Sequence, residues 1–343
     1  MEYEKLNYPE ALEKLADSYN FTLSYTDNKH NKPRSQVMDK LNEWYQNLLS
    51  SHTIALAYIK DRGIYESSAE KFGIGYAPDS NSTLNYIKSN SFTMAESVEM
   101  GVVGFDGGRN FARFIQRITF PIHSANGSIV GFGGRTITGH QAKYVNSPET
   151  PFFNKSRLLY AYHHAKQSIY KKNEIIITEG YLDVIMLHQA GFDNAVATLG
   201  TALTQEHLPL LRKGEPKVVM AYDGDKAGLN AAYKASLLLS HSNFNGGVVI
   251  FAEGQDPADM VVANKMDELN SMFSSPQPFI PFVCDYIIQK YDLENPQEKQ
   301  QALKESNEFL KTNIPDHWQI IITALPVTMQ YHFSLTQVHK VNT

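Results

Sequence analysis

Acidic residues follow short apolar runs at two points in the second half of the sequence. Glu179 comes directly after the run from Ile175 to Thr178, and Asp223 and Asp225 follow the run 217–222. Runs of this length that are rich in β-branched residues are typical of buried strands, so each would bring its carboxylates to a strand end. Several carboxylates at one sheet edge repel each other strongly unless cations lie between them. The pattern therefore predicts a divalent-metal site.

The surrounding sequence alternates between strand-like and helix-like segments. Strands are predicted at about 175–178, 195–198, 218–222 and 248–251, and helices near 181–190, 204–213, 226–240 and 258–264. Such alternation predicts a parallel sheet covered by helices on both faces, in which ligands bind beyond the carboxyl ends of the strands. Two more acids fall at this edge. Asp183 would share one side of a helix start with Glu179, and Asp256 follows the fourth strand.

A basic stretch precedes these acids. Residues 106–172 contain five arginines and five lysines but only two acidic residues, a local balance of +8 in a chain with a net charge of −5. A basic surface beside an acidic pocket suits a polyanionic ligand that is handled by metal ions. An ordinary solvated face with an excess of basic residues is the competing interpretation of the same composition.

Within this stretch the sequence favours strands. Runs at 111–122 and 128–135 are rich in aromatic and β-branched residues, and Asn126-Gly127 lies between them as a hairpin-like turn. Three glycines of the second run leave space beside Arg135, which would let a sugar-phosphate backbone approach the main chain.

A polar loop at 141–150 follows these strands. Lys143, Tyr144 and Asn146 provide a cation, a ring and an amide, which can contact phosphate, stack on a base and form hydrogen bonds. Basic and aromatic residues interleaved in this way suit single-stranded nucleic acid. Each residue alone would more often be structural, so the interpretation depends on how densely they occur.

Length and composition bound the fold. A chain of 343 residues with 42% hydrophobic residues is long enough for two or three domains. We expect an α/β protein with four regions: an amino-terminal helix and linker at 1–35, a mixed α+β basic subdomain at 36–172, a central parallel α/β sheet at 173–275, and a carboxy-terminal helical bundle at 276–343. Helical spacing of apolar residues predicts the bundle helices at 279–291, 296–311 and 316–339.

Several classes of protein are disfavoured by what the sequence lacks. It has no long apolar span, and its start lacks the features of a signal peptide, so a cytoplasmic protein without membrane contact is expected. The single cysteine, Cys284, excludes an internal disulfide and a multi-cysteine zinc site within this chain. The twelve histidines are scattered, and we expect them to be core or surface residues rather than metal ligands.

The acidic segments also resemble the three motifs of the Toprim domain. These segments are EGYLD at 179–183, DGDKAG at 223–228 and DP at 256–257. Arg135, KYVNSPET at 143–150 and LGT at 199–201 resemble the bacterial DnaG-type primases in particular. The likeness extends from about residue 9 to at least residue 262, and the basic motifs separate it from other Toprim proteins.

This resemblance implies an RNA polymerase core that makes RNA primers on single-stranded DNA from ribonucleoside triphosphates during DNA replication. It implies Glu179 as the catalytic acid, Asp223 and Asp225 as catalytic metal ligands, and Asp183 and Asp256 as their supports. Glu179 could act as a metal ligand or as a general base, and both roles stay open.

The implied ligands are carboxylate oxygens, which select Mg²⁺ or Mn²⁺ over zinc. Two such ions could lower the pKa of the primer 3′-hydroxyl and screen the triphosphate charge during in-line displacement. The family commonly has an acid two residues after the aspartate of its third motif, where this chain has Ala258. The next acid, Asp259, is therefore the sixth candidate ligand.

The resemblance further implies a basic surface for the template strand and the nucleotide. Its candidate residues are Arg62, Arg113, Arg117, Arg135, Lys143, Tyr144 and Asn146. DnaG-type primases usually carry an amino-terminal zinc-binding domain and a carboxy-terminal helicase-binding domain. We expect this chain to lack both, as a catalytic fragment or a naturally short form, so that a replicative helicase is a partner only through a domain outside it.

Two other functions fit part of the pattern. A Toprim nuclease, or a topoisomerase-like enzyme, would use the same carboxylates to cut nucleic acid but would not need the loop at 143–150. A non-enzymatic module for single-stranded nucleic acid would keep the basic residues and tolerate the loss of the charge on Glu179. The sequence has no GxxxxGK[ST] loop, which argues against a P-loop motor.

Overall fold

Residues 36–313 are described by the computed structural model and form two parts that are packed together. The predicted helix and linker at 1–35 and the predicted helix at 316–339 lie outside the described residues. The first part contains α1 (Val37–Ser51), α2 (Thr53–Asp61), α3 (Glu66–Lys71), β1 (Gly75–Ala77), α4 (Ser80–Ser89), α5 (Met94–Glu99), β2 (Val103–Asp106), β3 (Arg109–Ala112), β4 (Arg117–His123), β5 (Ile129–Thr136) and β6 (Tyr144–Asn146).

The second part alternates strands and helices. It contains α6 (Tyr162–Lys172), β7 (Glu174–Thr178), α7 (Tyr181–Gln189), β8 (Ala195–Ala197), α8 (Leu208–Leu211), β9 (Lys217–Tyr222), α9 (Lys226–His241), β10 (Gly246–Ile250), α10 (Pro257–Val262), α11 (Met266–Ser274), β11 (Gln277–Pro278), α12 (Phe279–Ile288) and α13 (Pro296–Asn313). Across residues 36–313, no helix is both long and apolar enough to cross a lipid bilayer.

A four-stranded antiparallel sheet in the order β1-β4-β5-β6 forms the centre of the first part. β4 and β5 form the predicted hairpin, and Gly127 in its turn adopts φ +91°. The predicted single strand at 111–122 is wrong, because the chain turns at Gln116 with φ +50°. Residues 109–112 instead pair with β2 in a separate two-stranded ribbon.

The three glycines of β5 make room for aromatic rings and not for a nucleic acid. A Cβ added at Gly131 would lie 2.6 Å from Cδ2 of Phe153, and one added at Gly133 would lie 2.4 Å from Cζ of Tyr181. Gly134 meets a third ring in the same way. All of these rings are buried. The expectation that a sugar-phosphate backbone approaches this strand is therefore wrong, since the space is filled by the protein core.

The second sheet has the order β11-β10-β9-β7-β8, and β8, β7, β9 and β10 are parallel. This confirms the predicted parallel sheet. Ile177 of β7 pairs with Met220 of β9, so the carboxyl ends of these two strands lie side by side. Two details differ from the prediction. The helix expected at 204–213 is a 3-10 turn followed by the short α8, and the antiparallel edge strand β11 is too short to leave a periodic signal.

One hydrophobic core crosses from the first part into the second. The ring of Tyr181, at the start of α7, stacks on Phe120 of β4 with the centroids 5.1 Å apart. Tyr160 lies edge-on to Tyr181 at 4.7 Å, and its backbone pairs with Ala197 of β8. These buried residues belong to a single cluster. Residues on the two sides of position 172 therefore share a core, which fixes the two parts relative to each other.

The helices α12 and α13 pack beside α9 on one side of the parallel sheet. They match the helices predicted at 279–291 and 296–311. Lys290 Nζ lies 2.9 Å from Glu305 Oε1 and 4.5 Å from the ring centroid of Tyr233, which ties α9 to both helices. None of the residues of this contact is a predicted site residue, so we assign them to stability.

Three histidines meet near the junction of the two parts. The ring centroids of His163 and His164 are 3.7 Å apart, and that of His123 lies 4.0 Å from His163. Burial, followed by nearby positive charge, lowers the pKa of His163 to about 4 and that of His164 to about 3. The rings of His163 and His164 are therefore packed as neutral imidazoles.

We expect acid to destabilise the fold through His164. Because its pKa is lower in the folded state than in the unfolded chain, the unfolded chain takes up a proton below about pH 6.5 while the folded protein does not. The free energy of unfolding should fall as the pH is lowered from about 7 to about 4, and His164→Phe should reduce that fall. Denaturant unfolding at several pH values measures it. The matched change at exposed His140, His140→Asn, should keep the wild-type slope; an equal slope in His164→Phe would contradict the assignment.

Candidate active site and nucleic-acid surface

Glu179 lies at the carboxyl end of β7, next to the end of β9. Its Oε1 accepts a hydrogen bond from the backbone N–H of Asp223 at 3.4 Å. A Cβ added at Gly228 would lie 2.9 Å from the same oxygen, so the glycine leaves room for the carboxylate. Burial, and then the charges of Asp223 and Asp225, raise the pKa of Glu179 to about 7. The ionised form of Glu179 is therefore disfavoured, because nearby positive charge does not offset the burial and the two aspartates.

Asp223 and Asp225 follow β9 and differ in their local bonding. Asp225 caps α9, since its Oδ1 accepts the backbone N–H of Gly228 at 2.7 Å. Asp223 lies between the other acids. Burial, followed by the charges of Asp256 and Asp225, raises the pKa of Asp223 to about 6. Asp225 is therefore held in place by its hydrogen bond to α9, whereas Asp223 is surrounded by the charges of other carboxylates.

The remaining predicted acids lie at the same edge. Asp183 is 7% exposed in the first turn of α7, and its Oδ2 accepts the N–H of Gly180 at 3.2 Å. Asp256 caps α10 by accepting the N–H of Asp259 at 2.7 Å. Burial raises the pKa of both Asp183 and Asp256, and for Asp183 the charges of Asp256 and Asp223 add to it. Asp259 is exposed, and its charge contributes to the raised pKa of Asp223.

Within residues 36–313, basic side chains do little to neutralise these six carboxylates: the charge of Arg62 acts to lower the pKa of Asp256, but burial outweighs it. None of them forms an ion pair with a lysine, arginine or histidine of residues 36–313. In the described part of the chain, no group of three or more acidic, histidine or cysteine side chains is already gathered around one ion position. Clustered oxygen donors, four of which have raised pKa values, fit a hard divalent cation, which rotation of the side chains would allow them to bind.

Asn146 joins the polar loop to the acidic strand ends. Its Nδ2 donates to the carbonyl oxygen of Leu199 at 2.8 Å in the segment after β8, and its Oδ1 accepts from the hydroxyl of Tyr181. Tyr181 lies between Glu179 and Asp183 in the sequence. Two side-chain hydrogen bonds therefore hold the loop and the acidic motif in a fixed relation.

Arg135 and Tyr144 form a charged and aromatic surface next to this bond. They pair across β5 and β6, and Cζ of Arg135 lies 4.8 Å from the ring centroid of Tyr144. At this distance the guanidinium is attracted to the ring face. Tyr144 is 43% exposed, and Lys143 beside it is also exposed. A ring for stacking and the cation of Lys143 are therefore accessible at one place, beside the half-buried Arg135.

Arg117 has a different role from the predicted one. It is 5% exposed, and its guanidinium donates to the carbonyl oxygens of Gly134 at 3.2 Å, Lys143 at 3.3 Å and Ala142 at 3.0 Å. Burial and the use of three of its five N–H groups by backbone carbonyls argue against its predicted role as a direct ligand of nucleic acid. Arg117 instead holds the loop that carries Lys143.

Arg62 and Arg113 are exposed, and each lies over an aromatic ring that the sequence analysis did not single out. Cζ of Arg62 is 5.4 Å from the ring centroid of Tyr58, and Cζ of Arg113 is 6.0 Å from that of Phe111. Both contacts could have been inferred from the sequence spacing. Arg62 and Tyr58 are four residues apart, which brings side chains together on a helix, and Arg113 and Phe111 are two apart, which places side chains on one face of a strand.

The ribbon of β2 and β3 carries Arg113 at its base and is another feature that the sequence analysis missed. Gly107 and Gly108 form its turn with φ +53° and +79°, values that glycine adopts without strain. A Gly-Gly pair between two strand-like runs is a hairpin signal and was available in the sequence. Phe105 is 64% exposed on this ribbon, which adds a second accessible ring.

Two family models match the chain over most of the described residues. A model described as the DNA primase catalytic core, N-terminal domain, matches residues 44–166, and a model described as Toprim-like matches residues 176–261. The first covers the antiparallel sheet and the basic surface, and the second covers the parallel sheet with its acids.

Known proteins agree with both matches. A DNA primase from Helicobacter pylori is 45% identical over 316 residues, which are 91% of this chain and 56% of the relative. The chain thus spans about half the length of such relatives. A DNA primase domain from Pseudomonas aeruginosa superposes with a TM-score of 0.77 at 30% identity, covering 88% of this chain and 100% of that one. A DnaG primase catalytic domain bound to single-stranded DNA superposes with a TM-score of 0.74 at 28% identity, covering 88% and 95%.

Both the order of the two folds along the chain and their packing are thus found in solved primase cores. The basic antiparallel sheet comes first, and the parallel sheet with acids at its edge follows it. This chain therefore belongs to the family of DnaG-type primase catalytic cores, with a Toprim domain in its second part.

Proposed function

We propose that this chain synthesises short RNA primers on single-stranded DNA from ribonucleoside triphosphates by metal-dependent nucleotidyl transfer during DNA replication. The observation that carries the proposal is the pair of hydrogen bonds that Asn146 forms, donating to Leu199 and accepting from Tyr181, which sets the basic loop beside the acids. A similar solved structure of a DnaG primase catalytic domain bound to single-stranded DNA supports the template. Contact with a replicative helicase and a cytoplasmic location stay predictions.

The acidic residues would bind Mg²⁺ or Mn²⁺. Glu179, Asp223 and Asp225 are the proposed catalytic ligands, because they lie at the ends of two adjacent parallel strands and form no ion pair with a basic side chain of the described residues. Divalent ions at this position would lower the pKa of the primer 3′-hydroxyl and neutralise charge on the triphosphate. Asp183 and Asp256 support the ligands from two helix starts, and exposed Asp259 is proposed as the outermost ligand in the place of Ala258.

The basic surface would hold the nucleic acid and the incoming nucleotide. Tyr144 offers a half-exposed ring for a base, and Arg135 and Lys143 offer charge for phosphates on either side of it. Arg62 would reach the nucleotide from the end of α2, and Arg113 would contact the strand from the base of the ribbon. Asn146 orients the loop through its two hydrogen bonds and can contact the nucleotide at its rim.

The substitution Glu179→Gln tests catalysis separately from binding. It removes a charge without changing the size of the side chain, so primer synthesis should be lost, while affinity for single-stranded DNA should stay within about twofold. Incorporation of labelled ribonucleotides and fluorescence anisotropy measure the two effects. Glu308→Gln, the same change on the exposed face of α13, should keep both activities.

Full primer synthesis by Glu179→Gln would contradict the catalytic assignment. A wild-type protein that cleaves the template with metal but makes no primer would instead support the Toprim nuclease.

Metal binding should be visible in the stability of the protein. We expect Mg²⁺ or Mn²⁺ to raise the Tm by roughly a few degrees, because a ligand that binds only the folded state stabilises that state. Asp223→Asn removes a repelling charge, so it should raise the Tm in EDTA and abolish the increase with metal. Asp267→Asn, at an exposed site on α11, should keep the increase. A lower Tm in EDTA together with an intact metal effect for Asp223→Asn would refute this site.

The salt dependence of DNA binding should separate ligands from structural cations. Lys143→Ala removes one exposed charge, so we expect the slope of log affinity against log salt to fall by about one unit with no loss of Tm. Arg117→Ala should lower the Tm and change the slope less, because it removes three hydrogen bonds that a buried guanidinium donates to backbone carbonyl oxygens. An unchanged slope in Lys143→Ala would identify this lysine as structural.

A further inference from the structure

The helix that presents Arg62 ends in a tight turn. Gly63 adopts φ +73° and donates its N–H to the carbonyl oxygen of Lys60 at 2.9 Å, and Ile64 donates to Ile59 at 3.2 Å. This left-handed glycine at the end of α2 agrees with the usual helix-ending motif. The turn uses the N–H groups of both residues, but it leaves the carbonyl oxygen of Gly63 and the N–H of Tyr65 to be satisfied from elsewhere.

Gln189, the last residue of α7, satisfies both groups. Its Nε2 donates to the carbonyl oxygen of Gly63 at 2.8 Å, and its Oε1 accepts the N–H of Tyr65 at 2.9 Å. One amide therefore clamps the backbone on both sides of Ile64. These are contacts between residues 124 and 126 positions apart in the sequence, and they join the first part of the fold to the second.

The same turn is seated between two helices of the Toprim domain. A Cβ added at Gly63 would lie 3.4 Å from Cε of Met186 in α7 and 3.4 Å from Cγ2 of Val262 in α10. The starts of these helices carry Asp183 and Asp256. Six residues of helix separate Asp183 from Gln189, a rise of about 9 Å. The clamp is therefore a short, rigid link between Arg62 and the acids.

We infer that Gln189 is a positioning residue, which holds the turn after α2 so that the Arg62 guanidinium faces the triphosphate of the incoming nucleotide at the carboxylate site. This inference rests on the proposed function of Arg62. A planar amide with one donor and one acceptor is needed, because the two backbone groups that it meets are a carbonyl and an N–H. The helix α3 that follows the turn is also joined to α7, by Lys71 Nζ to His188 Nδ1 at 3.2 Å, so loss of the clamp should loosen the turn without unfolding the chain.

The test is a double-mutant cycle on the full chain with Gln189→Met and Arg62→Ala. Methionine keeps the length of the side chain and removes both hydrogen bonds. We expect Gln189→Met to raise the KM for ribonucleotides roughly tenfold, with a smaller change in kcat and in affinity for single-stranded DNA. In the Arg62→Ala background the same change should raise KM by less than about twofold, because the residue acts through Arg62.

Two further variants separate positioning from stability. Gln189→Glu keeps an acceptor for the N–H of Tyr65, so its KM should lie between those of the wild type and Gln189→Met even if the methionine variant folds poorly. Gln167→Met makes the same chemical change at an exposed site on α6 and should leave KM and Tm unchanged. Circular dichroism melting gives the Tm of each variant.

Three results would overturn the inference. An unchanged KM in Gln189→Met would refute it directly. Equal fold-changes with and without Arg62 would mean that Gln189 acts independently, and this outcome would leave the proposed function intact. An unchanged KM in Arg62→Ala would overturn both the role of Arg62 and this inference, whereas a wild-type protein that makes no primers would refute the proposed function itself.

Discussion

Mutual repulsion among carboxylates at the carboxyl ends of parallel strands is the constraint on which the site depends. Asp225 and Asp256 offset it in part by capping helices, and each such cap contributes about 1 kcal/mol. Caps do not neutralise the group as a whole, since the pKa of Glu179 still rises to about 7 and that of Asp223 to about 6. Glu179 and Asp223, which cap no helix and have raised pKa values, are thus left as the strongest candidates for metal binding. In a DnaG-type primase core, this is a local loss of stability that a bound cation would reverse.

The basic surface is placed against these acids by packing and not by electrostatic attraction. Tyr181 is central to this packing. Its ring stacks on Phe120 of the antiparallel sheet, and its hydroxyl donates a hydrogen bond to Asn146 of the polar loop. Its neighbours in sequence include Glu179, so one residue couples the position of the basic loop to that of the acidic motif. A shared core of this kind allows little independent motion of the two sheets. A polyanion would therefore meet a site that is already assembled on its protein side.

Sequence reasoning succeeded where a pattern carried its own geometry. The strand before Glu179 and the strand before Asp223 were recognisable from β-branched runs, and parallel pairing then required their carboxyl ends to be adjacent. In these cases the sequence signal and the structural cause are the same local property.

Sequence reasoning failed where the role of a residue depends on which residue lies beside it in the folded protein. Gly131 looks the same in a sequence whether it faces a ligand or the buried ring of Phe153, and only the tertiary structure distinguishes them. Arg117 lies in a basic, strand-like run, yet its guanidinium donates hydrogen bonds to three backbone carbonyl oxygens. Gln189 carried no signal, because its partners are backbone groups more than a hundred residues away. Long-range contacts of this type are not encoded in spacing.

Diffraction from crystals soaked in Mn²⁺ tests the central claim most directly, since the anomalous signal locates the ion without reference to activity. The account predicts anomalous density at the carboxyl ends of β7 and β9, with oxygens of Glu179 and Asp223 within about 2.6 Å of the ion, a distance typical of hard cations. Asp225 should complete the protein ligands after a change of side-chain rotamer. Mn²⁺ bound only elsewhere, with these carboxylates instead paired to lysine or arginine, would contradict it.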